Sequence, residues 1–258
     1  LLRTLGLDPE RFHDGRWLDW QMKLDQPARV APIEPPEPRP PVAKRPRRLS
    51  VTEIENWRRD PYAIYAKFIL RLRALDPIDA EPGAADRGIQ IHRALERFVT
   101  EFPGQLPADA HVRLLDMGRQ AFGELLDRPA VRTFWWPRFE RIAAWYLEQE
   151  SERRATIAAL HGEVKGSLSV AGVAKPFQLT AKADRIERGA DGSLDIIDYK
   201  TGALPKAGDI NLGMSPQLPL EAAIAAFGGF DGVPKGPVGG LAFWKLGGGD
   251  PPGLIMPI

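Results

Sequence analysis

Hydrophobic positions recur every three to four residues along the chain to about residue 158, and from Gly162 onward they recur every second residue. The first regime predicts helices. Ser50-Val51-Thr52-Glu53 has the form of a capping box, with Leu49 and Ile54 placed for a hydrophobic staple. Asp60-Pro61 opens a second helix, with Tyr62, Tyr65, Ile69 and Leu72 along one face, a stripe expected to be core rather than a base-stacking platform. Ile91, Leu95, Phe98 and Val99 mark the buried side of a helix from Arg87 to Glu101, and 109–127 and 136–158 read as two more, with Trp135-Trp136 as an anchor between them. The second regime predicts strands over Gly162–Val170, Phe177–Arg188 and Ser193–Lys200. A helix from Ser215-Pro216-Gln217 to about Phe227, stopped by Gly228-Gly229, precedes a last strand over Val238–Leu246. The sum is a mixed α/β domain.

Upstream, residues 1–25 are expected to form a short helix around Trp17, Trp20 and Met22. From Pro27 to Pro46 eight of twenty residues are proline, which favours an extended connector. Lys44, Arg45, Arg47 and Arg48 close it; a solvated linker end is the expected reading, and a phosphate-contacting strip the alternative. This divides the chain into an upstream tail and Pro-rich linker, 1–48, and a domain, 49–258. The start at Leu-Leu-Arg and the Gly/Pro-rich stretch from Gly247 to Pro257 read as the ends of a piece cut from a longer polypeptide.

Composition adds mainly exclusions. A length of 258 residues with 43% hydrophobic and 27% charged residues suits one full core plus an extension, and a net charge of +1 leaves any nucleic-acid affinity to local clustering. The absence of cysteine rules out disulfides, thiolate zinc sites, iron–sulfur clusters and cysteine nucleophiles. No apolar run is long enough to span a membrane and no secretory signal is present, so a cytoplasmic location without membrane partners is expected.

The chemistry concentrates in Ala183-Asp184-Arg185-Ile186 and Asp195-Ile196-Ile197-Asp198-Tyr199-Lys200-Thr201-Gly202, separated by Asp191-Gly192. This reads as a β-hairpin. Asp198 and Lys200 share a face, and folding about the turn brings Asp184 to Asp198. Two neighbouring carboxylates need a cation between them, and a lysine beside them can orient a water, the layout of a metal-dependent phosphodiesterase site. An exposed hairpin with a cross-strand salt bridge is the bland alternative. A second acid-x-Lys triplet, Glu163-Val164-Lys165, serves as an internal control, because Glu163 has no carboxylate a hairpin's length upstream. His92 borders the stripe of its helix, where it can be a ligand or a core histidine.

Taken together, Gly88-x-x-x-His92, Glu163, Asp184-Arg185-Ile186, Asp198-Tyr199-Lys200-Thr201-Gly202 and Gln217 resemble, in order, the motifs of the PD-(D/E)XK nuclease superfamily, and within it the RecB-like exonuclease domains. Ser215-Pro216-Gln217-Leu218-Pro219-Leu220-Glu221 and the preceding linker resemble the C-terminal nuclease domain of AddB, from the AddAB helicase–nucleases that process double-strand breaks. The resemblance implies a restriction-endonuclease-like α/β fold, with a mixed central sheet flanked by helices and a helical N-terminal part. It implies a DNA exonuclease acting on single-stranded ends delivered by an AddA-like helicase–nuclease subunit. Mg²⁺, replaceable by Mn²⁺, would be held by His92, Asp184, Asp198 and the Tyr199 carbonyl. Lys200 would orient water, with Glu163 as a supporting acid and Gln217 on the following helix. Two departures stand out: Asp60 occupies the position of an iron–sulfur cysteine in some AddB-like domains, and Glu221 that of a tyrosine in many RecB-like domains. A stand-alone RecB-like exonuclease and a catalytically silent DNA-binding scaffold are the competing expectations.

Overall fold

The computed structural model describes residues 5, 15–26, 32, 34, 36–75, 78, 80–172 and 175–258. Residues 1–39 and 40–258 are two compact units. In the first, helix α1 (Gly15–Asp25) buries no residue, and Trp17 meets Trp20 edge to face at 5.0 Å between ring centroids. The rest of the helix expected over 1–25, and the start of the Pro-rich stretch, lie largely outside the described residues.

In the second unit, a 3-10 turn over Val42–Lys44 is followed by a strand absent from the sequence reading, β1 (Arg48–Ser50), which runs directly into α2 (Val51–Arg59). The capping box is formed: Glu53 N donates to Ser50 Oγ at 3.1 Å and Ser50 N to Glu53 Oε2 at 2.9 Å. Asp60 caps α3 (Pro61–Ile64) through Tyr62 N at 3.0 Å. The expected four-residue apolar stripe does not form. The helix passes into a π-helical stretch over Tyr65–Leu70 and stops at Arg71, whose φ is 59°. Tyr62 and Leu72 are left 52% and 58% exposed.

Helices α4 (Ala84–Glu101), α5 (Ala110–Phe122) and α6 (Trp136–Arg153) follow. Ile91, Leu95, Phe98 and Val99 are buried as their spacing requires. The segment expected as helix to residue 158 ends at Arg153, and strand begins at Ile157. Strands β2 (Ile157–Val170), β3 (Phe177–Gly189) and β4 (Leu194–Lys200) come next, then α7 (Ala207–Asn211), α8 (Gln217–Ala226), β5 (Val238–Leu246) and β6 (Gly253–Pro257). The expected last strand is therefore followed by another, at the edge of the sheet, where a strand can carry Pro257.

The sheet runs β1-β3-β4-β5-β6, with β2 also on β3; β1/β3 and β4/β5 are parallel and the other pairs antiparallel. Helices α4, α5 and α6 pack with Ile197, Tyr199 and Trp244 in one core. Residues of α2 and α8 pack with Leu194, Ile196 and Phe243 in the other. Alternate residues of β4 thus enter opposite cores, as a central strand covered on both faces requires. This is the expected mixed sheet flanked by helices.

One feature of β3 places the site. Strand β2 pairs along its whole length, so β1 and β4 must share the other edge: β1 over Gln178–Thr180 and β4 over Arg185–Arg188. Residues 181–184 lie in the gap between them.

Candidate metal centre

The β3–β4 hairpin turns at Gly192, φ 86°, with Asp191 accepting hydrogen bonds from Ser193 N (3.0 Å) and Oγ (2.6 Å). Its ladder ends at Arg185↔Ile197. Just past that point the Tyr199 N–H donates to Asp184 Oδ2 at 2.8 Å, so a carboxylate takes up the amide where strand pairing stops. The other oxygen, Oδ1, lies 3.5 Å from His92 Nδ1 on α4. Gly88 lets that helix come close: a Cβ there would stand 2.7 Å from Thr201 Oγ1, just beyond Lys200. Gly162 does the same for β2, where a Cβ would meet Val99 Cγ1 at 2.9 Å.

Glu163 enters from the other side of β3. Its neighbours pair regularly, Gly162↔Arg185 and Val164↔Ala183, while Glu163 itself has φ 53° inside a strand. A non-glycine residue in this region costs on the order of 1–3 kcal/mol, and such residues concentrate at functional sites. Ligand atoms of His92, Glu163 and Asp184 all lie within 4.8 Å of one another. Burial, then the neighbouring Asp184, pushes the Glu163 carboxyl up against the pull of Lys182, which forms an ion pair with it. Burial opposes charging of His92, but its contact with Asp184 and the fields of Asp198 and Glu163 outweigh it and raise its pKa. One imidazole nitrogen and two hard carboxylates around a common point fit a divalent cation.

Asp198 is the more deeply buried partner. Its Oδ2 is 2.8 Å from Lys200 Nζ and its Oδ1 accepts from Gln217 Nε2 at 2.5 Å, while Lys200 donates to Gln217 Oε1 at 2.9 Å. Burial, then Asp184, raises the Asp198 pKa to about 6. Gln217 Nε2 also lies 3.3 Å from Glu221 Oε1. Glu221, one turn on along α8, is buried with its second oxygen unpartnered and its pKa pushed to about 8, first by burial and then by Asp198.

Every sequence-predicted site residue therefore lies at or beside the gap in β3. The structure subdivides them into a His92–Glu163–Asp184 group and an Asp198–Lys200–Gln217 group. The side chain of Tyr199 is in the core, and its amide serves Asp184. The reading of Glu163-Val164-Lys165 as an isolated control needs correction: the carboxylate partner of Glu163 is Asp184, downstream, brought alongside by the β2–β3 pairing. Lys182 was not anticipated either, although its place two residues before Asp184 puts it on the same face of β3.

Behind the site, Arg185 is fully buried. It pairs with Glu150 of α6 and with Glu187 (Nε–Oε1 2.7 Å), and lies 3.1 Å from Tyr146 Oη. Arg153 also pairs with Glu187. These contacts tie β3 to α6 directly behind Asp184.

A family model described as the PD-(D/E)XK nuclease superfamily matches residues 48–253. Among relatives, an uncharacterized protein of Rickettsia bellii is 33% identical over 71% of this chain and 22% of its own length. The uncharacterized protein RC0550 of Rickettsia conorii is 33% identical over 72% of this chain and 23% of its own. The chain thus spans less than a quarter of the length of these relatives. A solved structure described as SSO0001 covers 72% of this chain and 70% of its own at 15% identity, with a TM-score of 0.26, too slight an overlap to carry an argument.

Proposed function

The chain belongs to the PD-(D/E)XK nuclease superfamily, and on that premise we propose that it is a metal-dependent deoxyribonuclease that hydrolyses phosphodiester bonds from single-stranded DNA ends. The observation that carries this reading is the convergence of His92, Glu163 and Asp184 within 4.8 Å, with Lys200 held by Asp198 and Gln217 on the neighbouring strand β4. The ions are Mg²⁺, with Mn²⁺ as substitute; a bound divalent cation supplies charge neutralisation and an acidified water.

The chain's own residues do the rest. Asp184 is oriented by the Tyr199 amide, Glu163 presents its carboxylate from β2, and His92 contributes a nitrogen from α4. Asp198 adds a second acid from β4. Lys200, paired with Asp198, positions the attacking water or the phosphoryl oxygens. Gln217 fixes both partners of that pair.

The likeness to AddB extends the proposal to a cytoplasmic helicase–nuclease that processes double-strand breaks, with an AddA-like subunit delivering the strand. Residues 215–221 and the Pro-rich segment ahead of the nuclease module, taken as residues 49–258, support this. The small share of its relatives' length that the chain spans leaves room for further parts. The test is incubation with end-labelled linear and with circular single-stranded DNA, in Mg²⁺ or EDTA. Mg²⁺-dependent loss of the linear strand with the circle intact is expected. Cutting in excess EDTA would contradict the metal mechanism, and no cutting with any metal would favour a silent DNA-binding scaffold.

A further inference from the structure

Directly paired residues in a sheet project to the same face, so the register of β1, β3 and β2 assigns their side chains row by row. One face carries Leu49, Leu179 and Leu168, then Ala181 with Gly166, and belongs largely to the α2/α8 core. The other is polar throughout. Its rows are Arg48–Gln178–Ser169, Ser50–Thr180–Ser167 and Lys182–Lys165. The next position along the same face is Asp184 on β3 with Glu163 on β2. A file of hydroxyls and cations thus leads straight into the candidate metal centre.

Two details set this file apart from an ordinary solvated face. Lys165 and Lys182 are direct cross-strand partners, an arrangement of like charges that destabilises a sheet. Lys182 is relieved by Glu163 and by Glu96 at 3.9 Å, but among the described residues neither Lys165 nor Arg48 has an ion-pair partner, and both are exposed. Beside this face lies a cleft of about 480 Å³ lined by Arg48, Lys165 and Lys182 together with Gln217 and the acids Glu221 and Asp231. Among the described residues, no aromatic residue lines it.

We propose that this sheet face and the cleft beside it form the track along which a single DNA strand lies, with Arg48 and Lys165 contacting separate phosphates on the way to Glu163 and Asp184. The proposal rests on the nuclease reading above and names the path of its substrate. Without aromatic platforms or groups arranged to read base edges, the track binds through the backbone, so binding is independent of sequence and strongly dependent on salt. The unpaired charge of Lys165, kept opposite Lys182 at a cost in stability, is what phosphate binding would account for.

The test is fluorescence anisotropy of labelled single-stranded oligonucleotides in EDTA, so that binding is read without cleavage, across a salt series. Arg48→Gln with Lys165→Gln should weaken binding about 20-fold at 0.1 M salt for every sequence, and lower the slope of log K against log salt by about 1.4, from about 0.7 per phosphate contact on single strands. Arg48→Lys with Lys165→Arg should bind like the wild type. Arg128→Gln with Arg132→Gln, which removes the same charge outside the cleft, should leave affinity and slope unchanged. Unaltered binding by the cleft variant, an equal loss in the Arg128/Arg132 variant, or weakened binding at an unchanged slope would overturn the track. Failure of the wild-type protein to bind any strand would instead overturn the DNA reading beneath it.

Discussion

The Tyr199 amide donates to Asp184 Oδ2 at 2.8 Å at the point where β3 and β4 stop pairing. This bond converts the end of a hairpin ladder into an anchor for a carboxylate. One oxygen is fixed by backbone and the other faces His92. Asp184→Asn keeps an acceptor for the amide but removes the charge. Cleavage should fall about 100-fold or more, the scale on which a preorganised electrostatic group counts. The melting temperature of the metal-free protein should not fall, because a carboxylate that repels its neighbours has gone. Paired rate and melting measurements check both.

Lys200 and Gln217 should separate chemistry from metal binding. Lys200→Ala should lower the single-turnover rate by about 10²- to 10⁴-fold with metal affinity largely kept. Gln217→Ala, which frees Lys200 and Asp198 without removing either, should cost about 10- to 100-fold, the range found for residues that orient a ligand. Single-turnover rates and calorimetric Mn²⁺ titration distinguish the two.

The His92 imidazole must be neutral to bind a cation, and its surroundings raise its pKa above 6.5 in the metal-free protein. Mn²⁺ affinity should therefore fall as pH drops through and below that region, and His92→Ala should bind more weakly with a flatter pH profile. Its metal-free melting temperature should be unchanged. A destabilised variant with normal affinity would make His92 a core residue.

Glu221 gives a stability signature independent of metal. Its carboxyl is raised from 4.5 to about 8, so between those values the folded protein holds a proton that the unfolded chain has released. Stability should therefore decline as pH rises from about 4.5 to about 8 and level off above. Glu221→Gln, which mimics the protonated acid, should flatten this decline and stabilise the protein at pH 9 by on the order of 2 kcal/mol. Urea unfolding at pH 5 and pH 9 measures it.

The Asp184–Asp198–Lys200 hairpin was legible because alternation and a Gly-containing turn are local signals. The Glu163–Asp184 approach was not, since it depends on the register of a long β2–β3 pair and on a strand residue at positive φ. Short edge strands escaped for a related reason. Arg48–Ser50 is shorter than any periodic pattern, and its last residue is also the cap of α2. Gly253–Pro257 has the composition of a tail. The burial of Arg185 among Glu150, Glu187 and Tyr146 was not legible either, because it depends on the packing of α6 against β3. Tyr62 and Leu72 had helical spacing, but the helix widens and stops before that spacing can bury them.

On the proposed function, His92, Glu163 and Asp184 hold the ion on which cleavage depends. Anomalous diffraction from crystals soaked in Mn²⁺ measures this most directly. A peak is expected within ligand distance of the Glu163 and Asp184 carboxylates and of a His92 ring nitrogen, lost in Asp184→Ala. An ordered Mn²⁺ elsewhere, with this position empty in crystals of a protein that cleaves DNA with Mn²⁺, would contradict it.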